Sequence, residues 1–103
     1  MYKEYTLSYL PLFELDMAQA RDYILYKLNN PSAAIRLVKD TDAAIRKRLD
    51  NPLGYEPYHS SKDHRHPYYC IHVRNFIVFY VVTGKVMEVR RFLYGRRNLA
   101  EII

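Results

Sequence analysis

The sequence predicts an α+β fold with the element order β-α-α-β-β-β, in which a helical hairpin packs on one face of a four-stranded antiparallel sheet. Three observations predict it. Residues 4–9 alternate in polarity, apolar residues then recur every three or four positions up to residue 49, and alternation returns over residues 69–93. We expect a single domain over residues 1–103, because a chain of this length suits one small core.

The N-terminal elements are predicted to be a strand and two helices. The strand, residues 4–9, is expected to be half-buried and to pair with the central or the last strand. Helices are predicted over residues 12–29 and 31–49, and Asn30 and Pro31 suit the start of the second one. Because the link is so short, the two helices must fold back on each other. Their apolar stripes are Phe13, Met17, Ala20, Ile24 and Leu28 in the first helix, and Ala34, Leu37, Val38, Thr41, Ile45 and Leu49 in the second.

A long loop is predicted to separate the helices from three further strands. The loop, residues 51–67, is rich in Pro, Ser, Asp and His and has no regular apolar period. Strands are predicted over residues 69–74, 76–82 and 86–93. The middle one is apolar on both faces, which favours a central strand that is covered on both sides. Residues 96–103 are expected to form a short C-terminal helix or tail.

The chain is basic, and its C-terminal part is markedly so. The net charge is +5, and residues 76–103 carry five basic against two acidic side chains. This balance predicts an anionic partner, which is RNA, DNA or an acidic protein, with a merely solvated basic surface as the alternative. With a single cysteine no intramolecular disulfide can form. The absence of a long apolar run predicts no membrane association and a cytoplasmic protein.

Several short motifs follow one another along the whole chain. They are TLSYLPLFELD at the first strand, DYILYKLNNPSAA at the helix junction, LDNP after the second helix, VRNFIVFYVV in the central strand and LYGRRN after the last strand. In this order they resemble the RelE/ParE superfamily of bacterial type II toxin–antitoxin toxins. The resemblance implies a protein that arrests growth and is neutralised by a cognate antitoxin, through which it contacts operator DNA indirectly.

The superfamily contains two mechanisms. RelE-like members cleave mRNA in the ribosomal A site, and ParE-like members act on DNA gyrase. By resemblance, the RelE-type lysines fall at Cys70 and His72, a strand arginine falls at Ile77 and a C-terminal tyrosine falls at Ile103. One arginine is kept as Arg97, or as Arg96 with a shift of one residue. Because most of the nuclease set is absent, the chain leans towards a ParE-like toxin that acts on a large cellular target, for which DNA gyrase is one candidate and another target is the alternative.

A different catalytic set remains open as the alternative. His72 and Arg74 are expected to share one face of their strand, and Arg97 follows the last strand, which is expected to lie nearby. With His72 as the base and the arginines as a phosphate clamp, the chain would be a metal-independent mRNA endoribonuclease acting on the ribosome. A third hypothesis is a non-toxic interaction module or decayed toxin.

Other residues are assigned by their position and chemistry. Cys70 is predicted to be an inert sheet residue. The loop residues His59, Asp63, His64 and His66 have the types of metal ligands but lack their usual spacing, so we expect no metal and no cofactor. The residues expected to bind the target are Arg90, Tyr94, Arg96 and Arg97.

Overall fold

The computed structural model describes residues 4–60 and 62–103 and contains the predicted elements in the predicted order. Residue 61 of the predicted loop and residues 1–3 lie outside this part. The elements are β1 (Thr6–Tyr9), α1 (Pro11–Asp22), a π-helical turn (Tyr23–Lys27), α2 (Pro31–Arg48), β2 (Tyr69–Val73), β3 (Phe76–Thr83), β4 (Val86–Tyr94) and α3 (Leu99–Ile102).

The four strands form one mixed sheet with the order β1-β4-β3-β2. The three C-terminal strands are antiparallel, whereas β1 runs parallel to β4, with Thr6 opposite Val86 and Tyr9 opposite Val89. The prediction of a purely antiparallel sheet was therefore wrong. Of the two partners expected for β1, the central strand and the last strand, the structure shows the last strand, β4. A parallel pair needs a long crossover, which the two helices and the loop between β1 and the hairpins supply.

Helices α1 and α2 cover one face of the sheet, as predicted. The core between them and the sheet contains Phe13, Leu37, Ile45, Tyr69, Ile71, Val73, Val78, Tyr80, Met87, Val89 and Phe92. The side chain of Asn30 accepts a hydrogen bond from the Ala33 N–H at 3.2 Å, so it caps α2 as expected. At the other end of α2, Arg48 donates to the Cys70 carbonyl and to the Tyr80 hydroxyl, both at 3.0 Å. These bonds fix the end of the helix to the sheet.

The first helix ends in a π-helical turn that changes which side chains face the core. In this turn the Leu28 N–H donates to the Tyr23 carbonyl, five residues earlier, at 3.2 Å. A π turn holds more residues than an α turn, so the residues after it rotate around the helix axis. Leu28, predicted to lie on the buried stripe, is instead 56% exposed. An uninterrupted α-helical period was therefore the wrong assumption for residues 23–28.

The opposite face of the sheet is covered by the chain's own loop and tail. Ile77, Phe79, Leu93 and Ile103 form a second buried cluster, against which Tyr58, Tyr68, Cys70, Leu99 and Ile102 pack. The central strand β3 is thus covered on both sides, as its apolar pattern predicted.

Asp16 on α1 holds the helix against the open edge of β4. Its carboxylate accepts two hydrogen bonds from the Arg91 guanidinium, at 2.7 and 3.1 Å, and one from the Phe92 N–H at 3.0 Å. The Asp16 residue is only 7% exposed. Hydrogen bonding to Asp16 raises the pKa of Arg91 above its ordinary value, which keeps this arginine charged. Because β1 pairs with β4 only as far as Val89, Asp16 takes the place of a missing strand partner.

We expect Asp16→Ala to destabilise the fold by about 2–4 kcal/mol, because it leaves the Phe92 N–H unpaired and the partly buried Arg91 without its counter-charge. Urea unfolding followed by circular dichroism measures this loss. The matched control is Asp42→Ala on α2, which breaks an exposed ion pair with Arg46 and should cost less than about 0.5 kcal/mol. Equal losses for the two variants would contradict the anchoring role of Asp16.

Candidate functional site: the C-terminal arginine segment and its groove

The segment Tyr94–Arg97 begins with the last residue of β4 and then turns away from the sheet. The Gly95 N–H donates to the Asn75 carbonyl at 2.8 Å, and the Arg97 N–H donates to the Tyr94 carbonyl at 3.0 Å. A Cβ atom at Gly95 would lie 3.3 Å from that Asn75 oxygen, so the close approach of the two backbones favours glycine. The two bonds fix the point at which Arg96 and Arg97 leave the sheet.

An open groove of about 610 Å³ lies between α1, the π-helical turn and this end of the sheet. Its floor contains the stacked rings of Phe76 and Phe92, whose centroids are 4.8 Å apart, and Tyr94 meets Phe76 edge-on at 5.6 Å. We call it the tail groove. Its lining is mainly apolar and consists of Asp16, Gln19, Ala20, Tyr23, Ile24, Leu28, Asn75, Phe76, Phe92, Tyr94 and Arg97.

The charge at the tail groove is positive once internal pairs are subtracted. Asp16, its acidic lining residue, is bound to Arg91. Arg96 and Arg97 take part in none of the ion pairs among residues 4–60 and 62–103. Both are exposed. The groove therefore offers an aromatic surface next to an arginine whose guanidinium has no carboxylate partner in the described chain.

Arg90 lies on β4 but is occupied by contacts within the chain. Its guanidinium donates to Glu88 at 2.7 Å and to the Tyr68 hydroxyl at 3.2 Å. Burial lowers the pKa of Arg90, but these two hydrogen bonds outweigh it, and the net pKa is raised. Of the four residues predicted to bind a target, Arg90 is thus tied to the loop, while Tyr94, Arg96 and Arg97 form one exposed segment.

The predicted catalytic residues lie on different elements, with His72 on β2, Arg74 directly after β2 and Arg97 after β4. His72 is opposite Ile77, and Ile77 is opposite Leu93, so β3 separates β2 from β4. Two strand spacings put the His72 and Leu93 positions about 10 Å apart. The expectation that these two strands are neighbours was wrong.

Arg74 also departs from the expected position. It follows the end of β2 with a φ of 55° and pairs with Asp40 of α2, Nε to Oδ2 at 3.0 Å. Its side chain therefore turns towards the helices, whereas His72 shares the face of Ile77. The expectation that His72 and Arg74 lie on one strand face fails because the strand ends at Val73.

The histidine-containing loop binds the C-terminal tail. The Ser60 hydroxyl donates to the Ile103 carbonyl at 2.8 Å, and the His64 ring contacts the same oxygen. His59 lies next to Glu56 at the surface. Within the described ranges, no group of three or more His, Cys, Asp or Glu side chains is arranged to hold a metal ion, and no helix is long and apolar enough to cross a membrane.

Sequence reasoning missed the tail groove and the role of Asp16. Asp16 lies one position from the apolar stripe residue Met17. That position was the available signal, because an acidic residue beside a buried stripe needs a partner. The exposure of Leu28 had no signal in the apolar spacing, since it depends on the π turn.

Comparisons with known proteins agree with this architecture. The model of the family "ParE toxin of type II toxin-antitoxin system, parDE" matches residues 7–99. A structure of the chromosomal ParDE system from P. aeruginosa superposes with a TM-score of 0.72 at 14% identity, covering 89% of this chain and 97% of that one. YafQ from E. coli strain BL21(DE3) superposes with a TM-score of 0.58 at 18% identity, over 87% of this chain and 92% of that one. No curated protein sequence gives a significant match.

The family match spans most of the sequence, and the fold is that of a RelE/ParE-like toxin. The chain belongs to the ParE toxin family of type II toxin–antitoxin systems. At identities below one fifth, the structural similarities concern the fold and leave the target of this chain open.

We predict that Cys70 reacts slowly with thiol reagents in the folded protein. Burial raises the pKa of its thiol to about 11, although Arg48 lowers it in part. At pH 8 roughly one molecule in a thousand would then carry the reactive thiolate. Labelling by iodoacetamide, followed by mass spectrometry, should be roughly a hundredfold slower than in urea-unfolded protein. Similar rates in the two samples would contradict an inert Cys70.

Proposed function

We propose that this protein arrests bacterial growth by binding a large cellular target, DNA gyrase, and that a cognate antitoxin neutralises it. The target contacts are assigned to the exposed segment formed by Tyr94, Arg96 and Arg97. In this proposal the protein acts as a binding partner and has no mRNA-cleaving activity of its own.

The residues on the sheet face of His72 support binding over RNA cleavage. His72 is exposed on its sheet face, but the same face carries the buried Ile77 and Ile103, where RelE-type chemistry would need Arg and Tyr. Cleavage of RNA requires a base and charge-stabilising groups within hydrogen-bonding reach of one phosphodiester. Arg74 is held by Asp40 of α2, and the positions of Ile77 and Ile103 supply no charge, which supports binding over cleavage.

The antitoxin is proposed to be acidic and to dock on the helical side of the toxin. The net charge of +5 favours an acidic partner. A second groove, of about 270 Å³, runs between α1 and α2. Its lining includes the apolar Phe13, Met17 and Val38 and the charged Glu14, Asp42 and Arg46, so we assign it to the apolar side chains of the antitoxin, and the acidic ones to basic surface elsewhere. One similar solved structure is a DinJ–YafQ toxin–antitoxin complex from E. coli, with a TM-score of 0.58 and 15% identity, covering 88% of this chain and 92% of that one. Contact with operator DNA would then be made through the antitoxin.

Induction of this gene alone in a bacterial host should stop growth without cutting translated mRNA. The expected readouts are a falling viable count, double-strand breaks in chromosomal DNA from trapped gyrase, and no A-site cuts in primer extension. His72→Ala should arrest growth as strongly as the wild type, because this side chain has no part in the proposed binding surface. Co-expression of the cognate antitoxin should restore growth.

Two other outcomes would decide against this proposal. A-site cuts that disappear in the His72→Ala, Arg97→Ala double variant would favour the metal-independent mRNA endoribonuclease acting on the ribosome. Normal growth at confirmed expression of the folded protein would favour a non-toxic interaction module or decayed toxin.

A further inference from the structure

We propose that the tail groove is an anchor pocket, which takes one large apolar side chain from an acidic segment of the toxin's target protein. Arg97 would pair with a carboxylate next to that side chain. This inference rests on the proposed function, because it assigns a binding mode to the same target, and it adds the groove and its α1 wall to the contact surface.

Large apolar side chains are exposed around the groove. Tyr23 is 57% exposed, Leu28 56% and Tyr94 38%, and all three line it. Single exposed apolar residues are ordinary, but a group of them around one concave surface is typical of a binding site. The π turn brings Leu28 there from a position that a regular helix would bury, and such turns are frequent at functional sites.

The groove is large enough for one side chain, and its floor is aromatic. A volume of about 610 Å³ is ample for one aromatic or leucine-sized side chain together with flanking backbone. The stacked rings of Phe76 and Phe92 are held by the core, so the floor is already formed before binding. Preformed aromatic pockets of this kind hold the few residues that dominate the affinity of an interface.

The tail groove carries a positive charge that no acidic side chain of the described chain neutralises. The carboxylate oxygens of Asp16 are already bonded to Arg91 and to the Phe92 N–H, so they do not present a free negative charge to a ligand. Arg97 has no carboxylate within ion-pair distance in the described chain, and Arg96 precedes it. An acidic segment therefore complements the groove, whereas a basic one would meet uncompensated arginine charge.

The Asp16 contact also determines how a partner enters. The edge of β4 beyond Val89 has no strand beside it, which would normally invite a partner strand. Because Asp16 already occupies the Phe92 N–H, an added strand would have to displace a buried carboxylate. Insertion of a side chain between α1 and Tyr94 requires no such displacement.

A substitution at an exposed position of α1 can fill the groove without disturbing the core. Gln19→Trp places a large ring in the groove from an exposed position on α1, and Leu15→Trp is the matched control on the same helix, 54% exposed and outside the lining. Both variants should unfold within about 3 °C of the wild type. Gln19→Trp should inhibit growth at least about tenfold more weakly than Leu15→Trp at equal protein level, as expected when an anchor residue is excluded.

The charge of the groove is tested in parallel. Arg97→Glu should lose growth arrest, Arg97→Lys should keep part of it, and Arg36→Glu on the exposed side of α2 should keep it fully. The last variant has the same change in net charge as Arg97→Glu. It therefore separates a specific pairing at Arg97 from a general attraction to a basic protein.

The outcomes distinguish this inference from the proposed function. If the wild type does not arrest growth, the proposed function fails. If the wild type and Gln19→Trp arrest growth equally, the proposed function stands and the anchor pocket is wrong. If Gln19→Trp keeps full toxicity but is no longer neutralised by the antitoxin, the groove belongs to the antitoxin and the assignment to the target is overturned.

Discussion

The contact of Asp16 with Arg91 and with the Phe92 backbone is the constraint on which the rest of the structure depends. It joins the first helix to the last strand, two elements separated by most of the sequence. Asp16 satisfies the edge of β4 where β1 ends, and the same residue lies in the wall of the tail groove. A buried carboxylate with three hydrogen bonds is stable, whereas one that loses its partners is strongly destabilising.

Much of the fold could be predicted because its signals are local. Each of these signals lies within one short stretch of sequence. They are the apolar stripes around Phe13 and Ile45, the capping residue Asn30 and the strand Phe76–Thr83, which is apolar on both faces. The parallel pairing of β1 has no such signal, since the alternation in Thr6–Tyr9 is the same for either direction. The π turn could not be predicted from the sequence either. The hydrogen bond from the Leu28 N–H to the Tyr23 carbonyl rotates Leu28 out of the buried stripe, although the apolar spacing of the sequence is that of a regular helix.

The candidate site was predictable in part. The Gly95-Arg96-Arg97 segment could be located from sequence because it follows a strand and carries charge without an acidic neighbour in sequence. Its surroundings could not, since Tyr23, Phe76 and Phe92 come from three distant parts of the chain. The separation of His72 from Arg74 could not be predicted either. Arg74 follows β2 in a left-handed backbone conformation, and its side chain pairs with Asp40. Alternation along a strand predicts faces only while the strand continues.

A toxin of this fold can act by chemistry or by binding, and the buried Ile77 and Ile103, where RelE-type chemistry would need Arg and Tyr, favour binding. The most direct test measures supercoiling by purified DNA gyrase and cleavage of translated mRNA with the same preparation of the folded toxin. Inhibition of supercoiling with intact mRNA is the result that the account predicts. Cleavage of mRNA at the ribosomal A site, with gyrase unaffected, would contradict it.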